Sequence, residues 1–147
     1  RMLLLFGGLM LSVIGAAILL VPHSFFAESG VTLGRDPSLL SEIRAPGGLL
    51  LASGVVVLLG AVWRSIRRRA LMLAAIVYGS FGVSRLLSIA IDGMPSESLF
   101  GATGIELLLA ALCLLSLHRD PLASLTMPAG RAADVQLEGA AAGGGQA

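Results

Sequence analysis

The sequence predicts an all-α integral membrane protein, a bundle of four transmembrane helices, and three observations lead to this prediction. Hydrophobic residues make up 56% of the 147 residues, charged residues only 13%, and the mean hydropathy is +0.91, whereas soluble proteins average roughly 25% charged residues. The apolar residues are gathered in long runs, and most arginines flank the same ends of those runs. A soluble fold of this size has too little interior for such a composition, so the chain needs lipid as its apolar solvent.

Four runs have the length of a membrane span. At about 1.5 Å of helix rise per residue, each one crosses the roughly 30 Å of a bilayer core. The first run contains no charge and is longer than the apolar part of a signal peptide. Cleavage of this segment as a signal peptide is therefore disfavoured. The predicted spans cover residues 2–21, 39–63, 70–91 and 99–117.

Turn and capping residues separate the spans. Residues 22–36 are rich in Pro, Gly, Ser and charge, and they predict an exposed loop. Asp36 can cap the second helix with Pro37 in its first turn, and Pro46 is expected to kink that helix. The spans form one membrane domain, residues 1–120. Residues 121–147 predict a flexible, disordered tail rich in Ala and Gly.

The arginines predict the orientation. All ten basic residues are Arg, and Arg1, the turn containing Arg64 to Arg69, and Arg119 fall on one side, with only Arg35 and Arg44 on the other. The positive-inside rule therefore places both termini in the cytoplasm. A chain rich in Ala, Gly, Leu and Arg without Lys favours a bacterial inner membrane. A nucleic-acid partner is excluded, because the arginine run lies between apolar spans.

No residue pattern indicates a reaction. The single cysteine, Cys113, excludes an intrachain disulfide and a Cys-x-x-Cys redox pair. The histidines, His23 and His118, lie far apart, and no residues show metal-ligand spacing or a nucleophile motif. The sequence therefore names no catalytic residue, no metal and no cofactor. It favours a protein without enzymatic activity, although acid/base work by the buried carboxylates remains open.

Two charges inside the predicted spans are the informative feature. Arg85 lies roughly 9 Å inward from the end of the third span, and Glu106 roughly 10 Å inward from the start of the fourth. An isolated charge in a membrane costs from a few to more than ten kcal/mol. Because a short turn joins these spans, the helices should be antiparallel neighbours. We therefore expect an ion pair between Arg85 and Glu106.

Further polar and small residues extend this cluster. Glu42 and Arg44, at the start of the second helix, are expected to complete a neutral network with Arg85 and Glu106. Seven-residue spacing places Tyr78 and Asp92 on the same face as Arg85, and Ser88 falls between them on that face. Two other patterns are expected to face the bundle interior: the polar face Thr103, Glu106, Ala110, Cys113, and the small residues Gly8, Ser12, Ala16, Gly48, Ala52, Ala75, Gly79.

Four motifs stand out along the chain: Pro22-His23-Ser24-Phe25-Phe26, Glu42-Ile43-Arg44-Ala45-Pro46-Gly47-Gly48, Ser84-Arg85-Leu86-Leu87 and Gly104-Ile105-Glu106-Leu107. They give a Phe-containing loop, a Glu-x-Arg motif opening the second helix, an internal Arg in the third helix and an internal Glu in the fourth. In these motifs the chain resembles a bacterial membrane family described as domain of unknown function 4345. Where this family favours an aromatic residue before the Gly pair, this chain has Pro46. The resemblance implies a four-helix architecture and no established activity.

Two functional interpretations follow. The first is an accessory or scaffold subunit of a larger respiratory or photosynthetic complex, with lipids and other membrane subunits as partners. Short loops and the lack of a reactive motif favour it. The second is a protein that binds or carries a small molecule, a lipid or a quinone, with Glu42, Arg44, Arg85 and Glu106 as its site. A purely structural role of these charges in setting helix register is the alternative to such a site.

Overall fold

The computed structural model describes residues 1–119, and all regular elements in that range are helical. The bundle described below comprises residues 1–117. The tail predicted from residue 121 lies outside the described residues. The elements are α1 (Met2–Leu20), α2 (Pro22–Ala27), α3 (Pro37–Val62), a 3₁₀ turn (Arg64–Ile66), α4 (Arg67–Asp92) and α5 (Glu97–Arg119).

Four of these helices are long and apolar enough to cross a membrane: α1, α3, α4 with the turn before it, and α5. The predicted fold class, an all-α protein with four transmembrane helices, is thereby confirmed. The helix ends fall within a few residues of the predicted spans. The helix α3 continues through Pro46 without interruption.

The short helix α2 corrects the sequence-based prediction of a continuous loop over residues 22–36. Pro22 occupies its first turn, where the fixed φ of proline suits a helix, and its side chain is almost fully buried. Phe25 and Phe26 pack against the core with their rings edge to face. Turn-forming residues suggested a loop here, but burial of these three side chains is the stronger effect.

The helix ends carry the expected caps. Asp36 accepts hydrogen bonds from the backbone N–H groups of Ser38 and Leu39, at 2.8 and 3.0 Å. These bonds, that from Leu39 first, lower the pKa of Asp36, because they favour the ionised carboxylate. At the end of α4, Gly93 has a φ of 96°, a left-handed conformation that glycine adopts without strain.

Helices α1 and α3 pack backbone against backbone through glycines. A Cβ on Gly15 would collide with the backbone N of Leu51 and would lie 2.7 Å from the carbonyl oxygen of Gly47, and one on Gly8 would lie 2.8 Å from the backbone N of Leu58. Such close contact is the main attraction between helices in lipid, where the hydrophobic effect no longer drives association. The antiparallel pair α1 and α3 is therefore the most tightly packed part of the bundle.

The predicted small-residue pattern was right at Gly8 on α1 and wrong on α3. Ala52 is exposed, and a Cβ on Gly48 would only touch the Leu19 side chain at 3.8 Å. The contact is made instead by Gly47 and Gly54, whose spacing equals about two helical turns. Both Gly47 and Gly48 satisfy a small-residue pattern, and sequence spacing alone does not show which of two adjacent glycines faces the partner.

The remaining long helices pack beside the pair formed by α1 and α3. We call the end with Arg1 and residues 64–69 the arginine end, and the end with α2 and residues 28–36 and 93–96 the loop end. At the arginine end Gly60 lies directly against Ala70 of α4. Helix α5 packs on α4, where a Cβ on Gly82 would meet Leu107 at 2.6 Å.

We expect Gly15→Ala to destabilise the bundle. The new methyl group would collide with backbone atoms of α3, which a side-chain rotation cannot relieve, and overpacking of this kind costs roughly 1–3 kcal/mol. The measurement is thermal unfolding of the detergent-purified protein followed by circular dichroism.

Gly48→Ala is the matched control, because its methyl group meets only the end of a side chain. It should leave the unfolding temperature unchanged or raise it, since Ala favours a helix by up to about 1 kcal/mol over Gly. Equal unfolding temperatures for the two variants would contradict the packing described for α1 and α3.

Candidate functional site

A cavity of about 520 Å³ lies between the helices towards the loop end. Cavities of roughly 300–1,000 Å³ are typical of small-molecule sites. All five helices contribute to its wall, and Phe25 and Phe26 of α2 line it beside the residues that follow that helix. Most of the lining is apolar, including Met10, Ile14, Ile18, Ile43, Leu50 and Leu99, and the polar lining consists of Ser29, Glu42, Tyr78, Arg85, Ser98 and Glu106.

Arg85 and Glu106 form an ion pair in this wall. The Arg85 Nε–H donates to both carboxylate oxygens of Glu106, at 3.0 Å to Oε2 and 3.2 Å to Oε1. The Glu106 side chain is only 11% exposed, whereas that of Arg85 is 32% exposed. The two residues thus occupy matching depths on the antiparallel helices α4 and α5, as the sequence analysis expected.

The pairing leaves one edge of the Arg85 guanidinium unused. A guanidinium has five N–H donors, and the bonds to Glu106 use only the one on Nε. Among residues 1–119 neither Nη atom of Arg85 makes a hydrogen bond, and the only fully buried side-chain nitrogen without a partner is Nε of Arg67. The Nη edge of Arg85 is therefore accessible, and Arg85 lines the cavity.

Tyr78 stands deeper in the cavity wall. It is 2% exposed, and its hydroxyl donates to the carbonyl oxygen of Gly7 at 2.6 Å. This bond joins α4 to α1 near the middle of the bundle. The polar stripe predicted to continue from Tyr78 through Arg85 turns outward at its end, where the exposed Asp92 accepts a hydrogen bond from Ser88 at 3.0 Å.

The buried face of α5 follows the sequence-based expectation. Thr103, Glu106, Ala110 and Cys113 are all buried. The Thr103 hydroxyl donates to the carbonyl oxygen of Leu99 at 2.9 Å, so it needs no partner on another helix. Glu106 is the acid on this face, and it interacts with Arg85 across the contact between α5 and α4.

The structure separates Glu42 from Arg44. Glu42 lines the cavity and is exposed at its rim. Arg44 lies in a different groove, and its Nε–H donates to the carbonyl oxygen of Leu19 at 3.1 Å. Residues two apart on a helix do not face the same side, so α3 cannot point both into one cavity. The expected four-residue network is thus not formed, and Arg44 is the member that lies outside.

Several cavity residues were not predicted as site residues. Phe25, Phe26, Phe81 and Ser98 line the cavity, and only their assembly in three dimensions shows this. The sequence signal for the first two was an aromatic pair three residues after Pro22, in a segment otherwise rich in polar residues. Among residues 1–119, no group of three His, Cys, Asp or Glu side chains is placed to hold a metal ion.

Comparison with known proteins identifies the family. Residues 1–117 match the family described as domain of unknown function (DUF4345). This chain belongs to the DUF4345 family. The match covers every lining residue of the cavity, and it confirms the resemblance seen in the sequence. No curated protein and no solved structure matches the DUF4345 chain.

We expect Glu106→Leu to destabilise the DUF4345 chain by up to about 3 kcal/mol. That value is the lower end of the range for breaking a buried ion pair, because Arg85 retains partial access to the cavity. The cost arises from leaving the Arg85 charge without its counter-ion. The measurement is the free energy of unfolding in detergent.

The double variant Arg85→Leu/Glu106→Leu provides the control, since it removes both charges and leaves apolar side chains to fill the space between the helices. It should recover most of the stability lost in Glu106→Leu. If the double variant is as unstable as the single one, the loss reflects packing around residue 106 and not an unpaired charge.

Proposed function

We propose that this DUF4345 protein binds an amphipathic small molecule of the lipid or quinone class in its cavity. The observation that carries the proposal is the unused Nη edge of Arg85, a residue that lines an otherwise mainly apolar cavity. Glu106 would hold the guanidinium in place, and the ligand would supply the missing acceptor.

The cost of removing the charged Arg85 donors from water supports a ligand at this position. A charged donor within the membrane is costly unless it is paired and hydrogen-bonded. Glu106 balances the charge of Arg85 but leaves the Nη donors without acceptors among the described residues. An acceptor group on the ligand would satisfy these donors through charge-assisted hydrogen bonds, which are roughly twice as strong as neutral ones.

The lining supports an amphipathic ligand in particular. Arg85 lies seven residues, or about 10 Å, before the end of α4. On α1 and α3 the cavity wall includes the apolar side chains of Ile14, Ile18 and Leu50. A molecule with a polar end at Arg85 and an apolar body against α1 and α3 matches this distribution, whereas a fully polar metabolite would leave the apolar wall in contact with its polar groups.

We also propose that the protein resides in a bacterial inner membrane with its arginine end in the cytoplasm. The basic residues Arg64, Arg67, Arg68 and Arg69 at that end support this orientation through the positive-inside rule. Both termini would then be cytoplasmic, and the cavity would lie in the outer half of the membrane.

Labelling of single cysteines tests the orientation. In a Cys113→Ala background, Thr32→Cys at the loop end should react with a membrane-impermeant maleimide on intact cells. Ser65→Cys at the arginine end should react only after permeabilisation, because the cytoplasm shields it. Both positions are exposed. The reverse labelling pattern would contradict the proposed orientation.

Ligand retention tests the proposed binding. The full chain, purified from its native membrane in mild detergent, should carry an amphipathic molecule detectable by native mass spectrometry. Arg85→Gln should lower its occupancy about tenfold or more, since hydrogen bonds to a charged group contribute roughly 1.5–3 kcal/mol.

Arg35→Gln is the matched control for this measurement, because Arg35 is exposed and does not line the cavity. It removes the same charge near the loop end and should leave occupancy unchanged. A wild-type chain without any bound amphiphile, or equal occupancy in the two variants, would rule out Arg85 as the ligand's anchor.

The same preparation tests the accessory-subunit interpretation, which stays a prediction. A second protein in fixed stoichiometry with the chain would support a role in a larger respiratory or photosynthetic assembly. If the chain runs alone and retains its ligand, that interpretation fails and the binding function stands by itself.

A further inference from the structure

We infer that the ligand of the cavity is a zwitterionic phospholipid, with its phosphate on the Nη edge of Arg85 and its ammonium group near Glu42. The inference rests on the proposed binding function and specifies the headgroup. Its basis is the number and placement of the charges that line the cavity.

Three charged side chains line the cavity: Glu42, Arg85 and Glu106. Arg85 and Glu106 neutralise each other through their ion pair. Glu42 forms no ion pair with any described residue, because the neighbouring base, Arg44, points away towards Leu19. When all three groups are ionised, the cavity therefore carries one negative charge in excess.

This excess separates the classes of amphiphile. A purely anionic headgroup would bind the Nη edge but would be repelled by Glu42 and Glu106 together. A purely cationic amphiphile would suit Glu42 and leave the Arg85 donors without an acceptor. A headgroup with both a phosphate and an ammonium group complements both sites at once, because its phosphate pairs with Arg85 and its ammonium group with Glu42.

The positions of the two sites agree with such a headgroup. Glu42 lies five residues, about 8 Å, after the start of α3, and Arg85 lies about 10 Å before the end of α4. Both are near the loop end, and Glu42 is exposed at the rim. An ammonium group there would keep part of its hydration, while the phosphate reaches the partly buried guanidinium.

The form of the guanidinium also favours phosphate. Arg85 lines the cavity and its Nη donors are free of Glu106. Such a planar set of donors can bind two oxygens of one phosphate side by side. The cavity volume of about 520 Å³ is typical of sites that bind drug-sized molecules. It would accommodate a headgroup with a single acyl chain along the apolar wall, and a second chain would extend into the bilayer.

Binding of three single-chain probes to the full chain in detergent tests the inference. The probes have the same acyl or alkyl chain and differ in charge: lysophosphatidylethanolamine is zwitterionic, lysophosphatidic acid is anionic, and a long-chain alkylamine is cationic. The wild-type chain should bind the zwitterionic probe about two- to fivefold more tightly than the anionic probe, the range that a partly exposed charge contributes. It should bind the zwitterionic probe at least about tenfold more tightly than the cationic probe, which offers no acceptor to Arg85.

Two substitutions assign the preference to its residues. Glu42→Gln should remove the preference for the zwitterionic probe over the anionic one by weakening the first and strengthening the second. Glu28→Gln, in an exposed acid that does not line the cavity, should leave the preference intact. Because Glu42 is exposed and unpaired, its substitution should not disturb folding, which thermal unfolding of each variant checks.

The outcomes distinguish this inference from the proposed function. If the wild-type chain binds no probe and carries no amphiphile from its native membrane, the binding function fails and the inference fails with it. If it carries such an amphiphile but binds no probe, the inference alone fails. If the probes bind with equal affinity, or if Glu42→Gln leaves the preference unchanged, the zwitterionic headgroup is wrong while binding of an amphiphile stands. A preference for the anionic or the cationic probe overturns the inference in the same way.

Discussion

The architecture depends on the direct backbone contact between α1 and α3. In lipid, apolar side chains gain little by leaving the solvent, so helices associate where their shapes allow the closest approach. Gly8 and Gly15 on one helix and Gly47 and Gly54 on the other remove the side chains that would keep the backbones apart. Helices α1 and α3 form one half of the bundle. Helices α4 and α5 form the other half, in which the ion pair between Arg85 and Glu106 joins the two helices.

The cavity exists because these two halves are not held together equally along their length. At the arginine end the contact of Gly60 with Ala70 brings α3 and α4 together, and near mid-depth the bond from Tyr78 to Gly7 joins α4 to α1. Towards the loop end the cavity occupies the space between the halves, and Phe25 and Phe26 of α2 contribute to its wall. The placement of the glycines thus determines where the bundle is closed and where it can hold a ligand.

Sequence predicted the properties that depend on position along a helix and missed several that depend on rotation about it. The spans follow from the length of the apolar runs, and the meeting of Arg85 with Glu106 follows from their equal depths on adjacent helices. Arg44 was placed in the cluster because its depth is suitable, but its direction, opposite to that of Glu42, excludes it. The same limit applies to the choice between Gly47 and Gly48. The helix α2 was missed because its stability comes from burial of Pro22 and partial burial of two phenylalanines against residues distant in sequence.

The contact of Arg85 with Glu106 through Nε alone has a consequence for which residue types this position tolerates. A lysine carries one ammonium nitrogen at the end of a flexible stem. Placed at residue 85, it would have to divide that nitrogen between the carboxylate and anything in the cavity. The guanidinium separates the two tasks, since Nε faces the protein and the Nη atoms remain available. Arginine and lysine are therefore not interchangeable here, even though each would neutralise Glu106.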